Sequence, residues 1–156
     1  VRSFLPHIKE SRGRIVITSS IAGILSIPFQ TYYSASKAAL VSYAYALANE
    51  LRPFGVSVCA ILPGDISTGF TAAREKQALG DDIYGGRISR SVERMEKDEK
   101  NGMTAQAAGA YYAKVALRKR VKPAVAIGFQ YKVFAVIYRL MPVRLVNYIL
   151  GLMYAS

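Results

Sequence analysis

Residues 13–40 of this 156-residue chain read GRIVITSSIAGILSIPFQTYYSASKAAL, and this stretch decides the fold. The β-branched run within 14–18 is typical of a buried strand, and Ser20 follows in the loop after it. Tyr33 and Lys37 are four residues apart, so on a helix they occupy one face, one turn apart. A strand end, a loop and a helix start are therefore predicted to bring a hydroxyl, a phenol and an ammonium together, as in many α/β sites.

The spacing of the phenol and the ammonium has a chemical reason. A free phenol titrates near pH ~10, so using it as a base at neutral pH costs roughly 4 kcal/mol. A fixed ammonium one helical turn away favours the anion and lowers that cost. Such a phenol can give a proton to a carbonyl oxygen or take one from an alcohol, while a serine hydroxyl holds that oxygen. Tyr32 is in the wrong register, because its i+4 partner is the uncharged Ser36.

A third element follows the apolar strand predicted at 56–62, where residues 63–68 read PGDIST. Together, the serine, the Tyr-x-x-x-Lys pattern thirteen residues after it and this Pro-Gly segment resemble the short-chain dehydrogenase/reductase family. The resemblance implies that Ser20, Tyr33 and Lys37 are the catalytic residues and that Ser20 also binds the substrate oxygen. It implies an NAD or NADP cofactor, with no means of choosing between the two. The residues it implies for cofactor contacts are Tyr33, Lys37, Pro63, Gly64, Ile66 and Thr68.

The order of elements predicts an α/β fold, a Rossmann-like doubly wound parallel sheet. We expect a helix from Thr31, as its cap, to about Arg52, and further helices at 67–79, 90–100, 105–119, 129–140 and 143–153, with a last strand at 123–127. The resemblance covers only the second half of the family fold, since the glycine-rich phosphate-binding turn is absent. We therefore expect residues 1–156 to be the C-terminal part of one domain, poorly stable and inactive alone. Within it we expect a substrate lid at 64–103 and a helical tail at 129–156.

The net charge of +11 is concentrated in the second part of the chain. Residues 101–156 hold eight Lys and Arg and no acidic residue, together with many apolar ones. This composition favours either a peripheral contact with an anionic membrane or a packed region with a basic rim. The charge follows no stripe along one helix, so we expect no nucleic-acid partner. One Cys and one His exclude a Cys/His zinc set, and we expect no metal.

The function predicted from these patterns is hydride transfer between a nicotinamide cofactor and a carbonyl or secondary alcohol. The tail from Pro123 to Tyr154 resembles that of bacterial family members related to hydroxysteroid and retinol dehydrogenases, which implies an apolar small-molecule substrate. A non-catalytic binding or scaffold protein of the same fold is the alternative.

The helix after Thr31 is dense in Ala and Ser, and the resemblance implies a homodimer or homotetramer through it; close packing on its own sheet is the other explanation. The single Cys59 suits a reducing, cytoplasmic location, with membrane association as a further expectation. Asp65 is expected to serve the loop or cap a helix, and the tyrosines at 111, 112, 131, 138, 148 and 154 either line a pocket or pack.

Overall fold

The chain folds around parallel β-sheet in a computed structural model that describes residues 1–75 and 79–155. The larger sheet has three parallel strands in the order β1-β2-β5, and the smaller has the parallel pair β3-β4. The strands are β1 (Arg14–Thr18), β2 (Ser57–Leu62), β3 (Ile66–Ser67), β4 (Met103–Thr104) and β5 (Ala124–Ala126).

Within the described residues, six α-helices connect and cover these strands. Their positions agree with the sequence pattern at 105–119, 129–140 and 143–153 to within two residues, and the charged helix begins three residues earlier than expected. The helices are α1 (Leu5–Glu10), α2 (Thr31–Leu51), α3 (Arg87–Lys100), α4 (Ala105–Leu117), α5 (Phe129–Leu140) and α6 (Val143–Tyr154).

Strand β2 is apolar along its whole length because it is covered on both faces. Alternate residues of a strand point to opposite sides. Val58, Ala60 and Leu62 belong to one core cluster with the buried face of α2. Cys59 and Ile61 belong to a second cluster with Val115 and Tyr111 of α4. A parallel sheet between two helical layers confirms the predicted Rossmann-like α/β class.

Helix α2 carries two of the candidate site residues, so its start matters. The predicted cap at Thr31 is wrong: Thr31 already lies in the first turn, and the capping position belongs to Gln30, which makes no side-chain cap bond. The backbone carbonyl of Gln30 instead accepts the Ser34 N–H at 2.8 Å. The hydroxyl of Ser34 accepts the N–H of Ile27 at 3.3 Å, so a small hydroxyl residue inside the helix fastens the preceding loop.

The predicted helix at 67–79 is wrong for the described part of that range. Residues 66–67 form β3, and turns follow to residue 73; positions 76–78 lie outside the described residues. The backbone of this segment finds a partner elsewhere, since β3 pairs with β4 and the N–H of Met103 donates to the Asp65 carbonyl at 2.9 Å. Gly69 and the β-branched Thr68 are poor helix formers, which is consistent with that outcome.

The last two helices leave the sheet at the β5 edge. Helix α5 packs beside β5, and α6 packs on α3. Among the described residues, no helix is both long and apolar enough to cross a membrane.

Candidate active site

A cavity of about 710 Å³ opens at the carboxyl edge of the strands. This is the edge at which parallel α/β sheets bind ligands. The end of β1, the start of α2, the loop after β2, and helices α3 and α6 all contribute walls. All the residues that the sequence singled out line this one cavity: Ser20, Tyr33, Lys37, Pro63, Gly64, Ile66 and Thr68.

Ser20 is held between two loops at the floor of the cavity. It is 8% exposed, and its Oγ accepts the Ala22 N–H at 3.1 Å, which caps a short 3₁₀ turn. The same hydroxyl donates to the carbonyl of Pro63 at 3.4 Å. The N–H of Ile21 donates to that carbonyl at 2.8 Å, so the loop after β1 and the loop after β2 are joined side by side.

Tyr33 and Lys37 lie on one face of α2, as their spacing predicts. The Lys37 Nζ is 5.5 Å from the centroid of the Tyr33 ring and donates to the Thr18 carbonyl at 3.5 Å. Tyr33 is 36% exposed, so its phenol is open to a ligand in the cavity. The structure thus places an accessible phenol beside an ammonium at the end of β1.

The backbone of α2 at Lys37 is fixed against the serine loop. Ser19 donates from its hydroxyl to the Lys37 carbonyl at 2.7 Å. A Cβ added at Gly23 would lie 2.8 Å from the same carbonyl oxygen, so only glycine permits this approach. The two contacts set the distance between the serine loop and the helix that carries the phenol and the ammonium.

Tyr131 of α5 holds the segment after β2 in place from outside the cavity. Its phenol donates a hydrogen bond to the Asp65 carboxylate and accepts the Asp65 N–H at 3.2 Å. A Cβ added at Gly64 would lie 2.1 Å from the Tyr131 ring. Burial raises the pKa of Asp65, and the bond from Tyr131 opposes that rise. Burial, and then the bond to Asp65, raises the pKa of Tyr131 to about 12.

Asp65 therefore holds the loop after β2 in place, which is one of the two roles that the sequence predicts for it. It does not cap a helix. The sequence leaves the role of Tyr131 open between lining a pocket and packing, because its contact with Asp65 spans 66 positions of the chain. No short-range pattern carries such a contact. The glycine at 64 was a signal, since it indicates a close approach to the backbone without naming the approaching group.

A further wall of the cavity combines apolar side chains with the polar Gln30, Ser89 and Glu93. It comes from the loop before α2, from α3 and from the last residue of α6, so one of the six tyrosines left open between pocket and packing, Tyr154, lines the cavity. Burial raises the pKa of Tyr154. The apolar and aromatic side chains of this wall are Ile27, Phe29, Ile88, Val92, Met95 and Tyr154.

A polar latch joins the segment after β3 to α3. Arg74 donates from Nη2 to Oε1 of Glu99 at 2.5 Å, and Thr71 donates from its hydroxyl to Oε2 of the same carboxylate at 2.5 Å. Arg74 and Glu99 also line the cavity. This segment belongs to the region where a substrate lid is predicted, and the latch fixes its position.

Comparison with known proteins assigns the family. The model of the short chain dehydrogenase family matches residues 1–79, half of the chain, and the chain belongs to that family. That stretch contains all three residues of the phenol, ammonium and serine set.

The chain spans about three fifths of the length of one curated relative and a smaller share of another. It is 37% identical to a 3-ketodihydrosphingosine reductase of Bacteroides thetaiotaomicron, over 99% of this chain and 59% of that protein. It is 42% identical to an NADPH-dependent 1-acyldihydroxyacetone phosphate reductase of Saccharomyces cerevisiae, over 43% of this chain and 23% of that protein.

Solved structures show the same fold. A short chain dehydrogenase from Burkholderia cenocepacia in complex with NADP superposes with a TM-score of 0.65 at 20% identity, covering 99% of this chain and 52% of that chain. A 3-oxoacyl-[acyl-carrier protein] reductase from Brucella melitensis superposes with a TM-score of 0.55 at 26% identity, covering 81% of this chain and 45% of that chain.

Proposed function

We propose that the full-length protein is an NAD(P)-dependent oxidoreductase that interconverts a ketone and a secondary alcohol. The observation that carries this proposal is the convergence of Ser20, Tyr33 and Lys37 on one cavity. The family membership supports it, since the matched relatives are named reductases and dehydrogenases.

Each of the three side chains has a distinct role in this reaction. Ser20, whose Oγ is positioned by the Ala22 N–H, turns its hydroxyl proton from the Pro63 carbonyl to the substrate oxygen and so holds that oxygen. Tyr33 gives its phenolic proton to that oxygen in reduction and takes it back in oxidation. Lys37 stabilises the phenolate through its fixed ammonium, which lies on the same helix face.

The cavity fits a nicotinamide cofactor. Its volume lies in the ordinary range for ligand pockets, and the Pro63–Gly64 loop forms one of its walls. Lys37 and Tyr33 would hold the ribose hydroxyls, and Pro63, Gly64, Ile66 and Thr68 would seat the ring. A bound reduced nicotinamide supplies the hydride. Structural neighbours are crystallised with NADP or NAD, which supports either cofactor.

The substrate that we propose is a long-chain ketone of the 3-ketosphingoid type. The apolar side chains of the wall formed by α3, Phe29 and Tyr154 support a hydrocarbon chain beyond the reacting carbon. A relative that aligns over 99% of the chain is a 3-ketodihydrosphingosine reductase. A steroid or retinoid is the second candidate, and the matches to 11-beta-hydroxysteroid dehydrogenase-like proteins of Arabidopsis thaliana favour it over a small polar ketone.

The assembly that we propose is a homodimer or homotetramer of the full-length protein through α2. Its buried residues are Ser34, Val41, Ala44, Leu47 and Leu51, whereas the small residues Ala35, Ala38, Ala39, Ser42 and Ala46 are exposed. Small residues on the outer face support a close helix contact between copies. Sedimentation of the full-length protein tests this assembly.

The experiment for the reaction measures NADPH and NADH oxidation by the full-length protein with 3-ketodihydrosphingosine, a 3-ketosteroid and acetoacetate. We expect turnover with the long-chain ketone and its loss in Tyr33→Phe. Tyr43→Phe is the matched control, because Tyr43 is an exposed tyrosine of the same helix outside the cavity. Cofactor binding without turnover of any of the three would favour the non-catalytic alternative, and preference for acetoacetate would contradict the proposed substrate class.

A further inference from the structure

Helices α5 and α6 each carry apolar side chains on two faces. A helix at the surface of a water-soluble domain needs only one apolar face, the face that packs on the core. The inner faces pack as expected: Tyr131 and Ala135 of α5 lie against the core, and Val146 and Leu150 of α6 are buried. A second stripe on each helix is exposed. On α5 it consists of Phe129, Val133, Val136, Ile137 and Leu140, and on α6 of Leu145, Tyr148, Ile149 and Leu152.

The spacing shows that each exposed set is a continuous stripe. Successive members are three, four or one residues apart, which places them on one side of a 3.6-residue helix. Phe129 is 84% exposed and Leu140 80% exposed, at the two ends of α5. We call these nine residues the tail surface. Exposed apolar surface of this extent marks an interaction site in most water-soluble proteins.

Basic side chains border the tail surface. Lys132 and Arg139 are seven residues apart and flank the α5 stripe on one side, and Arg144 lies in the first turn of α6. Residues 101–156 contain no Asp or Glu at all. A second copy of the same surface would therefore meet it with charges of the same sign, whereas an anionic surface would be complementary.

The position of the tail surface separates it from the rest of the parallel sheet. Among the described residues, β1 pairs with β2 alone, so additional strands of a longer relative would join the free edge of β1. Helices α5 and α6 follow β5, at the opposite edge of the sheet. Strands added at β1 would therefore join the edge of the sheet away from α5 and α6.

We propose that the tail surface binds the protein peripherally to an anionic lipid bilayer. The apolar stripes enter the boundary between headgroups and acyl chains, and the basic residues contact the anionic headgroups. Helix α6 ends at Tyr154, which lines the cavity, so the lipid-contacting helix reaches the cavity wall. The site would thereby stand at the bilayer, where an apolar substrate resides.

The test is co-sedimentation of the full-length protein with two kinds of vesicle, phosphatidylcholine alone and phosphatidylcholine mixed with phosphatidylglycerol. We expect binding to the anionic vesicles, and weaker binding as salt rises from about 0.1 M to about 1 M. Leu140→Glu is expected to lower the affinity about tenfold or more, since a carboxylate replaces an apolar contact in the boundary region.

The matched control is Leu117→Glu. Leu117 is 86% exposed at the end of α4, outside the tail surface, and the substitution changes the net charge by the same amount. Equal loss of binding in the two variants would overturn the proposal, because it would show an effect of net charge alone. Absence of binding to anionic vesicles would overturn it as well.

A second measurement separates the bilayer from a second copy of the chain. Sedimentation velocity without lipid is expected to give the same oligomeric state for wild type and Leu140→Glu. Dissociation of an oligomer by Leu140→Glu, without any vesicle binding by wild type, would assign the tail surface to a protein interface and overturn the proposal. Vesicle binding needs no turnover, so its outcome is independent of the proposed reaction.

Discussion

The phenol of Tyr131 bonds both the carboxylate and the backbone N–H of Asp65, which ties α5 to the loop that follows β2. That loop also accepts hydrogen bonds from Ile21 N–H and the Ser20 hydroxyl through the Pro63 carbonyl. One tyrosine in the C-terminal helices thus supports the wall of the cavity that holds the candidate cofactor residues. Tyr131 is a positioning residue, since it acts through Asp65 and Gly64.

Removing the phenolic oxygen should loosen this wall. We expect Tyr131→Phe to lower the free energy of unfolding by about 1–2 kcal/mol, because the half-buried Asp65 loses a donor. In the proposed reaction of the full-length protein, the KM for the cofactor should rise more than kcat falls. Denaturant unfolding and steady-state kinetics measure the two effects. Tyr138→Phe on the same helix is the control. Equal changes in both variants would show that the phenol of Tyr131 does not position the loop through Asp65.

Glycine at position 64 is required by the Tyr131 ring. In Gly64→Ala the new Cβ would lie 2.1 Å from that ring, so the loop or α5 must shift, at a cost of about 1–3 kcal/mol. Gly69→Ala is the matched control, because nothing lies within 4 Å of its Cβ. Thermal unfolding of the two variants checks the difference. Adding Tyr131→Ala to Gly64→Ala should recover part of the loss, and a loss that persists in full would refute the steric account.

The stability of the protein at alkaline pH should reveal that the Tyr131 phenol is hydrogen-bonded in the folded state. Its pKa is raised from about 10 to about 12, so the folded protein binds this proton more tightly than the unfolded chain. The resulting stabilisation is complete below pH 10 and is lost as the pH rises towards 12. Wild type should therefore lose stability more steeply than Tyr131→Phe over that window. Urea unfolding at a series of pH values measures this, and parallel curves would contradict the assignment.

The latch on α3 should control the segment after β3. Glu99→Gln removes the charge that holds Arg74, while keeping an oxygen that can accept from Thr71. We expect faster cleavage by trypsin after Arg74, because the segment is released more often. Glu50→Gln on α2 is the control for loss of one carboxylate. Unchanged cleavage at Arg74 would show that other contacts hold the segment.

The sequence predicts the local elements of this fold and the grouping of its site, for physical reasons. The β-branched run of β1, the apolar run of β2 and the i, i+4 spacing of Tyr33 and Lys37 are local patterns, and the structure places them as expected. The pairing of β3 with β4 joins residues 37 positions apart, which no local pattern carries, and the local pattern predicts a helix there instead. The contact of Tyr131 with Asp65 and the latch between Arg74 and Glu99 also join residues far apart in the chain, so no local pattern predicts them.

The catalytic roles of Ser20, Tyr33 and Lys37 remain predictions, and one measurement tests them most directly. Full-length protein loaded with NADPH is mixed with excess ketone, and a single turnover is followed by absorbance of the reduced nicotinamide. With the phenol as proton donor, Tyr33→Phe should slow this step by about 10²-fold or more while leaving the protein folded. A single-turnover rate in Tyr33→Phe equal to that of wild type would contradict the account.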